Sequence, residues 1–284
     1  MKQNYYQKKL PLSSDLSIIM TTNWKFLEKI FYNRSEKHNI SKYIVSKYII
    51  NNHNILLDSG STIDLITLEL IKSEKKDITI TSNNIFAAMH LVGQKKIEFN
   101  LLEGMFSDLH AATYSKKAND IIADKDFNFI IIAATAISVE AGIMVGVDDD
   151  GNADFKKAAL DNFQQSTNAK LIIAVDGTKF FKDTTMHRGV LNIEDWKIFI
   201  NKYKDRICII TSPLRPSVEN SNKNKYEKEI SRFAAVNQGA DFVCFMSRRL
   251  TPEQGTGPDN LPPYNQTAFA CTALDASQHL DYIL

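Results

Sequence analysis

Asp58-Ser59-Gly60-Ser61-Thr62 places a carboxylate, three hydroxyls and a glycine in five consecutive residues. The short apolar run Ile55-Leu56-Leu57 precedes them and reads as a buried strand. Ile63-Asp64-Leu65-Ile66-Thr67-Leu68-Glu69-Leu70 follows and reads as a helix. A strand–turn–helix of this kind aims backbone N–H groups at whatever sits above the turn, and the positive end of the helix dipole favours an anion there. Gly60 permits close backbone approach, and the hydroxyls of Ser59, Ser61 and Thr62 add donors. The chemistry is that of a phosphate or carboxylate site. Helix caps use the same residue types, so this stretch alone leaves a plain capping turn equally open.

Further polar turns follow other apolar runs. Asp77–Thr81 reads as a strand running into Ser82-Asn83-Asn84, which puts Thr81 and Asn83 at a strand end. Ile97–Leu102 ends in Glu103-Gly104. Phe127–Ala133 is the most apolar strand and runs into Ala134–Ser138. Leu171–Val175 leads to Asp176-Gly177-Thr178-Lys179. Helices are expected between them, at Ile40–Ile50, Ile85–Val92, Ala111–Asp124, Asp154–Ser166, Ile193–Tyr203 and Tyr226–Gln238, with further strands at Ile207–Thr211 and Phe242–Met246. Before these, Leu16, Ile19 and Met20 recur at helical spacing, and Thr22 or Asn23 caps a piece carrying Trp24 to Phe31. Strands alternating with helices imply an α/β fold, a mostly parallel sheet flanked by helices. Ligands of such sheets sit beyond the carboxyl ends of the strands, so the polar turns are expected to line one crevice. The chain divides into an N-terminal arm with helices (1–39), a ligand-binding domain (40–249) and a Pro- and Gly-containing tail (250–284), read as packing over the domain or as a partner contact.

Composition narrows the field. The 284 residues are 44% hydrophobic and 24% charged, with a formal net charge of +1. That balance gives no electrostatic footprint for nucleic acid, and no arginine-rich recognition helix precedes the first strand, so no direct DNA binding is expected. No apolar run approaches the ~20 residues of a membrane span. Cys208, Cys244 and Cys271 lack metal spacing, and an odd count fits a reducing cytoplasm. His53, His90, His110 and His187 do not pair at metal spacing, and Asp148-Asp149-Asp150-Gly151 lacks the downstream glutamate of a calcium loop. It reads as a solvated acidic loop. No metal and no cofactor are expected.

Taken in order, these motifs resemble the effector-binding domain of DeoR-type sugar-responsive regulators, which is similar in fold to ribose-5-phosphate isomerase, glucosamine-6-phosphate deaminase and coenzyme A transferases. Leu56-Leu57-Asp58-Ser59-Gly60-Ser61-Thr62 is similar to that family's strand followed by Asp-Ser-Gly-Thr-Thr. Ile80-Thr81-Ser82-Asn83 stands where the family has a strand ending in Thr-Asn. Leu102-Glu103-Gly104 keeps one glycine of a pair, and Asp176-Gly177-Thr178-Lys179-Phe180 is similar to Asp-Ser-Ser-Lys-Phe. Ile209-Ile210-Thr211 and Gln238–Phe245 stand for the closing elements. The resemblance covers residues 40–249.

The resemblance implies a cytoplasmic sensor for a phosphorylated sugar or nucleotide-type ligand. Asp58 would accept hydrogen bonds from sugar hydroxyls, and Ser59, Gly60, Ser61 and Thr62 would hold the phosphate. Lys179 would pair with the anion, with Thr81, Asn83, Glu103 and Gly104 completing the lining. It also implies a homo-oligomer and a protein partner that receives the signal. Two departures qualify it. The family's winged helix for DNA is not found here, and Ala133-Ala134-Thr135-Ala136 stands where the family has Gly-Ala-Asp-Gly. Acidic residues near that place serve proton transfer in the isomerase relatives. No catalytic residue is therefore assigned. An enzyme of the phosphosugar isomerase or hydrolase class, using Asp58, Glu103 or Glu140 as base, stays open, as does a partner-binding scaffold with a degenerate pocket.

Overall fold

The computed structural model describes residues 25–180, 184–212, 230, 232–233, 241–244 and 270–271. In chain order the elements are α1 (Lys25–Phe31), α2 (Arg34–Lys47), β1 (Asn54–Leu57), α3 (Ser61–Lys72), β2 (Ile78–Ser82), α4 (Ile85–His90), β3 (Ile97–Leu101), β4 (Met105–Ser107), β5 (Ala112–Tyr114), α5 (Lys116–Ala123), β6 (Phe129–Ile132), β7 (Ala136–Ser138), β8 (Gly142–Gly146), α6 (Asp150–Gln165), β9 (Lys170–Asp176), β10 (His187–Gly189), α7 (Ile193–Tyr203), β11 (Ile207–Ser212), β12 (Asp241–Cys244) and β13 (Ala270–Cys271). The main sheet has the order β13-β12-β11-β9-β6-β1-β2-β3. Every pair in it is parallel except β12–β13, so the expected α/β architecture is present.

The strands are short apolar runs because both faces of the sheet are covered. In β1, Ile55 and Leu57 join the cluster under α2 and α3, while Leu56 joins the cluster under α5, α6 and α7. That alternation follows from the two-residue period of a strand. The strand order also locates the crevice. From β1 the chain moves out to β2 and β3, then returns to the other side of β1 as β6 and continues to β9 and β11. The direction of winding therefore reverses between β1 and β6, and open α/β sheets bind ligands at such a switch point.

Several expectations shift. The helix expected over Ala111–Asp124 is split: Ala112–Tyr114 forms β5, and α5 starts only at Lys116, capped by Ser115, whose Oγ accepts from Ala118 N at 3.0 Å. The first residues are held by Thr113 N–H, which donates to Asn83 O at 3.0 Å, and by the β4–β5 pairing. After Phe127–Ala133, where no further strand is expected before Leu171, β7 and β8 form a second sheet with β10, in the order β10-β8-β7. His187 lies in β10. The acidic run is a helix start rather than a solvated loop, with Asp149 at the cap position of α6. The proposed helix over 14–20, the Thr22 or Asn23 cap, most of Tyr226–Gln238 and most of the tail lie outside the described residues.

One ion pair in this frame reports on pH. His90 at the end of α4 places Nε2 3.1 Å from Oδ1 of Asp64, a buried residue on α3. The contact with the Asp64 carboxylate raises the His90 pKa above its ordinary value despite partial burial. A raised folded value means the contribution is complete below the unfolded pKa of ~6.5 and is lost as pH rises through the folded value. The contribution of this pair to stability, measured by urea denaturation, is expected to fall as pH rises from 6 to 8, by under about 1 kcal/mol because the histidine is partly exposed to solvent. His90→Gln should flatten that slope.

Candidate functional site

Asp58 leaves the end of β1 at the switch point, fully buried. Its backbone N–H donates to Ile131 O at 3.0 Å, extending the β1–β6 ladder. The carboxylate is occupied within the protein. Oδ1 accepts from Ser59 N at 2.7 Å, and Oδ2 accepts from Ala133 N at 3.0 Å and from Lys156 Nζ on α6. The expected role for Asp58, accepting hydrogen bonds from sugar hydroxyls, does not fit this arrangement: both oxygens are spent on tying β1, β6 and α6 together. Asp58 is the anchor that fixes the turn.

The turn itself is open. Gly60 sits at φ +114°, and a Cβ there would meet only Ala133 Cβ, at 3.8 Å. Gly60 is the N-cap of α3 with no side-chain cap, and its carbonyl accepts the first helical bond from Asp64 N at 2.9 Å. The N–H groups of Ser61 and Thr62 thus begin a twelve-residue helix uncapped. Ser59 Oγ lies 3.2 Å from Tyr114 Oη. Burial, reinforced by the nearby Asp58 charge, pushes the Tyr114 phenol up, so it stays neutral.

A polar cluster surrounds this tyrosine. Asn83, fully buried, donates from Nδ2 to Thr113 O at 3.1 Å. His110 Nε2 and Asp149 Oδ2 are 2.6 Å apart, and Asn152 Nδ2 donates to the same carboxylate oxygen at 2.8 Å. Burial works to raise the Asp149 carboxyl, but the hydrogen bonds of His110 and Asn152 outweigh it and hold the pKa below the ordinary value. Sequence reasoning missed His110, Asn152, Tyr114 and Lys156.

A second cluster lies at the end of β9. Asp176 Oδ1 accepts from Thr178 N at 3.1 Å, from Thr178 Oγ1 at 2.5 Å and from Asn33 Nδ2 at 3.1 Å. Burial would raise this carboxyl, but the charges of Lys179 and Lys37 and these hydrogen bonds keep it below its usual range. Lys179 therefore stands in a one-turn 3-10 helix next to a buried anion. Lys37, also buried, donates to Lys29 O at 2.5 Å and Tyr32 O at 2.6 Å. Its pKa is lowered by desolvation to about 8, even with Asp176 nearby.

The remaining expected residues divide. Thr81 is fully buried at the end of β2, beside the turn strand. Glu103 turns outward and pairs with Lys117 at 2.8 Å on the surface. Gly104 has φ +150°, and a Cβ there would sit 2.4 Å from the Tyr114 carbonyl, so it seats the β4–β5 hairpin. Glu140 is likewise exposed and pairs with Arg232.

Among the described residues, several buried polar atoms without a hydrogen-bond partner lie at the carboxyl ends of the strands and the turns that follow, namely Thr81 Oγ1, Asn83 Oδ1, Asp176 Oδ2 and Thr211 Oγ1, and one, Asn152 Oδ1, in the first turn of α6. All can accept hydrogen bonds, and native proteins leave few such atoms unsatisfied.

A family model, the DeoR C terminal sensor domain, matches residues 32–202, more than half of the chain. The chain belongs to the DeoR C-terminal sensor domain family. No curated protein matches it. Among solved structures, this DeoR-type domain is similar to ribose 5-phosphate isomerase A from Methanocaldococcus jannaschii, at 20% identity and a TM-score of 0.35, covering 52% of this chain and 54% of that one. It is also similar to the tetrameric eIF2B-beta2-delta2 complex from C. thermophilum, at 15% identity and a TM-score of 0.36 over 54% and 47%. The Pyrococcus horikoshii OT3 translation initiation factor eIF-2B is similar at 17% identity and a TM-score of 0.34 over 54% and 50%. The DeoR-type chain spans about half the length of these structures. Among its described residues, no helix is long and apolar enough to cross a membrane.

Proposed function

We propose that this DeoR-type domain is a cytoplasmic sensor that binds a phosphorylated sugar at the switch point between β1 and β6. The observation that carries the reading is the juxtaposition of two features there. One is the uncapped start of α3 with Gly60 open above it, which suits a phosphate. The other is the set of buried acceptors left unsatisfied among the described residues, Thr81 Oγ1 and Asn83 Oδ1 at the end of β2 and Asn152 Oδ1 in the first turn of α6, which suit the hydroxyl donors of a sugar. Lys179 contributes a positive charge at the same end of the sheet. Asp58 and Lys156 act by holding the turn in place.

A thermal-shift panel of pentose and hexose phosphates against the same sugars without phosphate tests this. At ~100 times the dissociation constant a ligand adds about 2.7 kcal/mol, which for a chain of this size raises Tm by roughly 5–10 °C. The plain sugars should shift Tm far less. No shift with any phosphosugar at millimolar concentration would leave the scaffold reading.

An enzymatic reading is favoured by one observation, the close His110–Asp149 pair beside Tyr114. A carboxylate that orients an imidazole is the arrangement of a general base. Product formed from a phosphosugar, and abolished in His110→Gln, would establish turnover.

A further inference from the structure

We propose that the outer edge of the main sheet is a self-association surface, on which two copies of this chain pair antiparallel along β3 about a two-fold axis through Phe99. β3 closes one side of the sheet. Ile78 N–H donates to Lys96 O at 3.4 Å and Leu102 N–H to Ser82 O at 2.8 Å, so the even-numbered residues turn their backbone groups toward β2. The N–H and C=O groups of Ile97, Phe99 and Leu101 point the other way, and among the described residues no strand pairs with them.

The sequence of this edge is complementary to itself in one register. With Phe99 opposite Phe99 of the second copy, Ile97 faces Leu101 on both sides of the axis. The outward groups then meet as the hydrogen-bonded pairs of an antiparallel ladder. The same register brings Lys95, two residues before the strand, opposite Glu103, two residues after it. Ile97, Phe99 and Leu101 share one face of the strand, and Lys95 and Glu103 flank its two ends. A slip of two residues separates the charges, and a parallel neighbour sets lysine beside lysine. Edge strands are commonly guarded by charge, but here the two ends carry opposite signs, which repels nothing in the two-fold arrangement. Glu103 now pairs with Lys117, both side chains being more than half exposed. Such a pair is worth little, so exchanging it for Lys95 of a second copy costs little.

Apolar surface flanks this edge. α4 packs against β3 and leaves Met89 62% exposed, with Val92 just beyond it 79% exposed. Leu101 itself is 47% exposed. A two-fold axis at Phe99 sets Leu101 of each copy against Ile97 of the other, the isologous contact typical of dimers.

Sedimentation velocity on the full chain, with the charge-swap variants, tests the proposal. The wild-type chain should dimerise at micromolar concentration. Glu103→Lys and Lys95→Glu should each weaken the dimer roughly 10-fold, because the two-fold axis repeats every altered contact. The double variant Lys95→Glu/Glu103→Lys should restore it. Both positions are on the surface, and circular dichroism should show all three variants folded. A wild-type chain that stays monomeric, or a dimer indifferent to the single swaps, overturns the proposal. The self-association is independent of the ligand site, so its failure leaves the sensor reading untouched.

Discussion

Lys156→Met is expected to cost about 3–5 kcal/mol, because it strands the Asp58 carboxylate as an uncompensated buried charge. Lys156 is 3% exposed and Asp58 fully buried, so water does not replace the lost partner. Two backbone donors, Ser59 N and Ala133 N, remain on the carboxylate and keep the loss from being larger. At ~2–4 °C per kcal/mol the drop in Tm is roughly 6–20 °C. Asp58→Leu with Lys156→Met removes both charges and should recover much of the stability, since an apolar replacement of a buried pair is often close to neutral. It should not recover ligand binding, because the turn loses the carboxylate that receives its first N–H. Equilibrium urea denaturation of the single and double variants measures the first effect. A Lys156→Met protein as stable as wild type would show that the pair does not hold the turn.

The second large effect is at Gly142, the first residue of β8. Its φ is +62°, and a Cβ would lie 2.1 Å from Trp196 Cδ2 and 2.2 Å from Cε2. Trp196 on α7 is 1% exposed and packs in the same cluster as Phe163 and Phe199. Overpacking a core costs ~1–3 kcal/mol, and a left-handed backbone costs an L-residue a further ~1–2 kcal/mol. Gly142→Ala should therefore destabilise the chain by about 2–5 kcal/mol, detected as a lower urea midpoint. Combining it with Trp196→Leu should show strong coupling, the double variant losing less than the two single losses together. Additive losses would contradict the contact.

The turn from Asp58 to Thr62 was legible because strand, glycine and helix are adjacent in sequence, and each has a local physical cause. The parallel sheet was legible for the same reason, from apolar runs of strand length separated by helical patterns. The role of Asp58 was not legible, because its partner Lys156 is 98 residues away and lies on an otherwise ordinary helix. The Asp149–His110 pair has the same character: two loop-like residues 39 positions apart, joined only by the fold. Local pattern also misled at Ala111–Ala112, where alanines argue for helix. There Ala111 adopts φ +49°, and pairing with Asn83 and the β4 strand sets the conformation. The strands β7 and β10 are three residues each, too short for a period-two pattern to register.

Calorimetric titration tests whether a phosphate binds over the start of α3. The best phosphosugar from the thermal panel is titrated into the wild-type chain and into Lys179→Met, alongside the same sugar without phosphate. Removing the phosphate should weaken binding by roughly 10- to 150-fold, the equivalent of one charge-assisted hydrogen bond at about 1.5–3 kcal/mol. Lys179→Met should bring the two ligands closer together in affinity while leaving the apo protein folded. Equal affinity for the two ligands in the wild-type chain, or a phosphate preference undiminished in Lys179→Met and in Gly60→Val, would contradict the account.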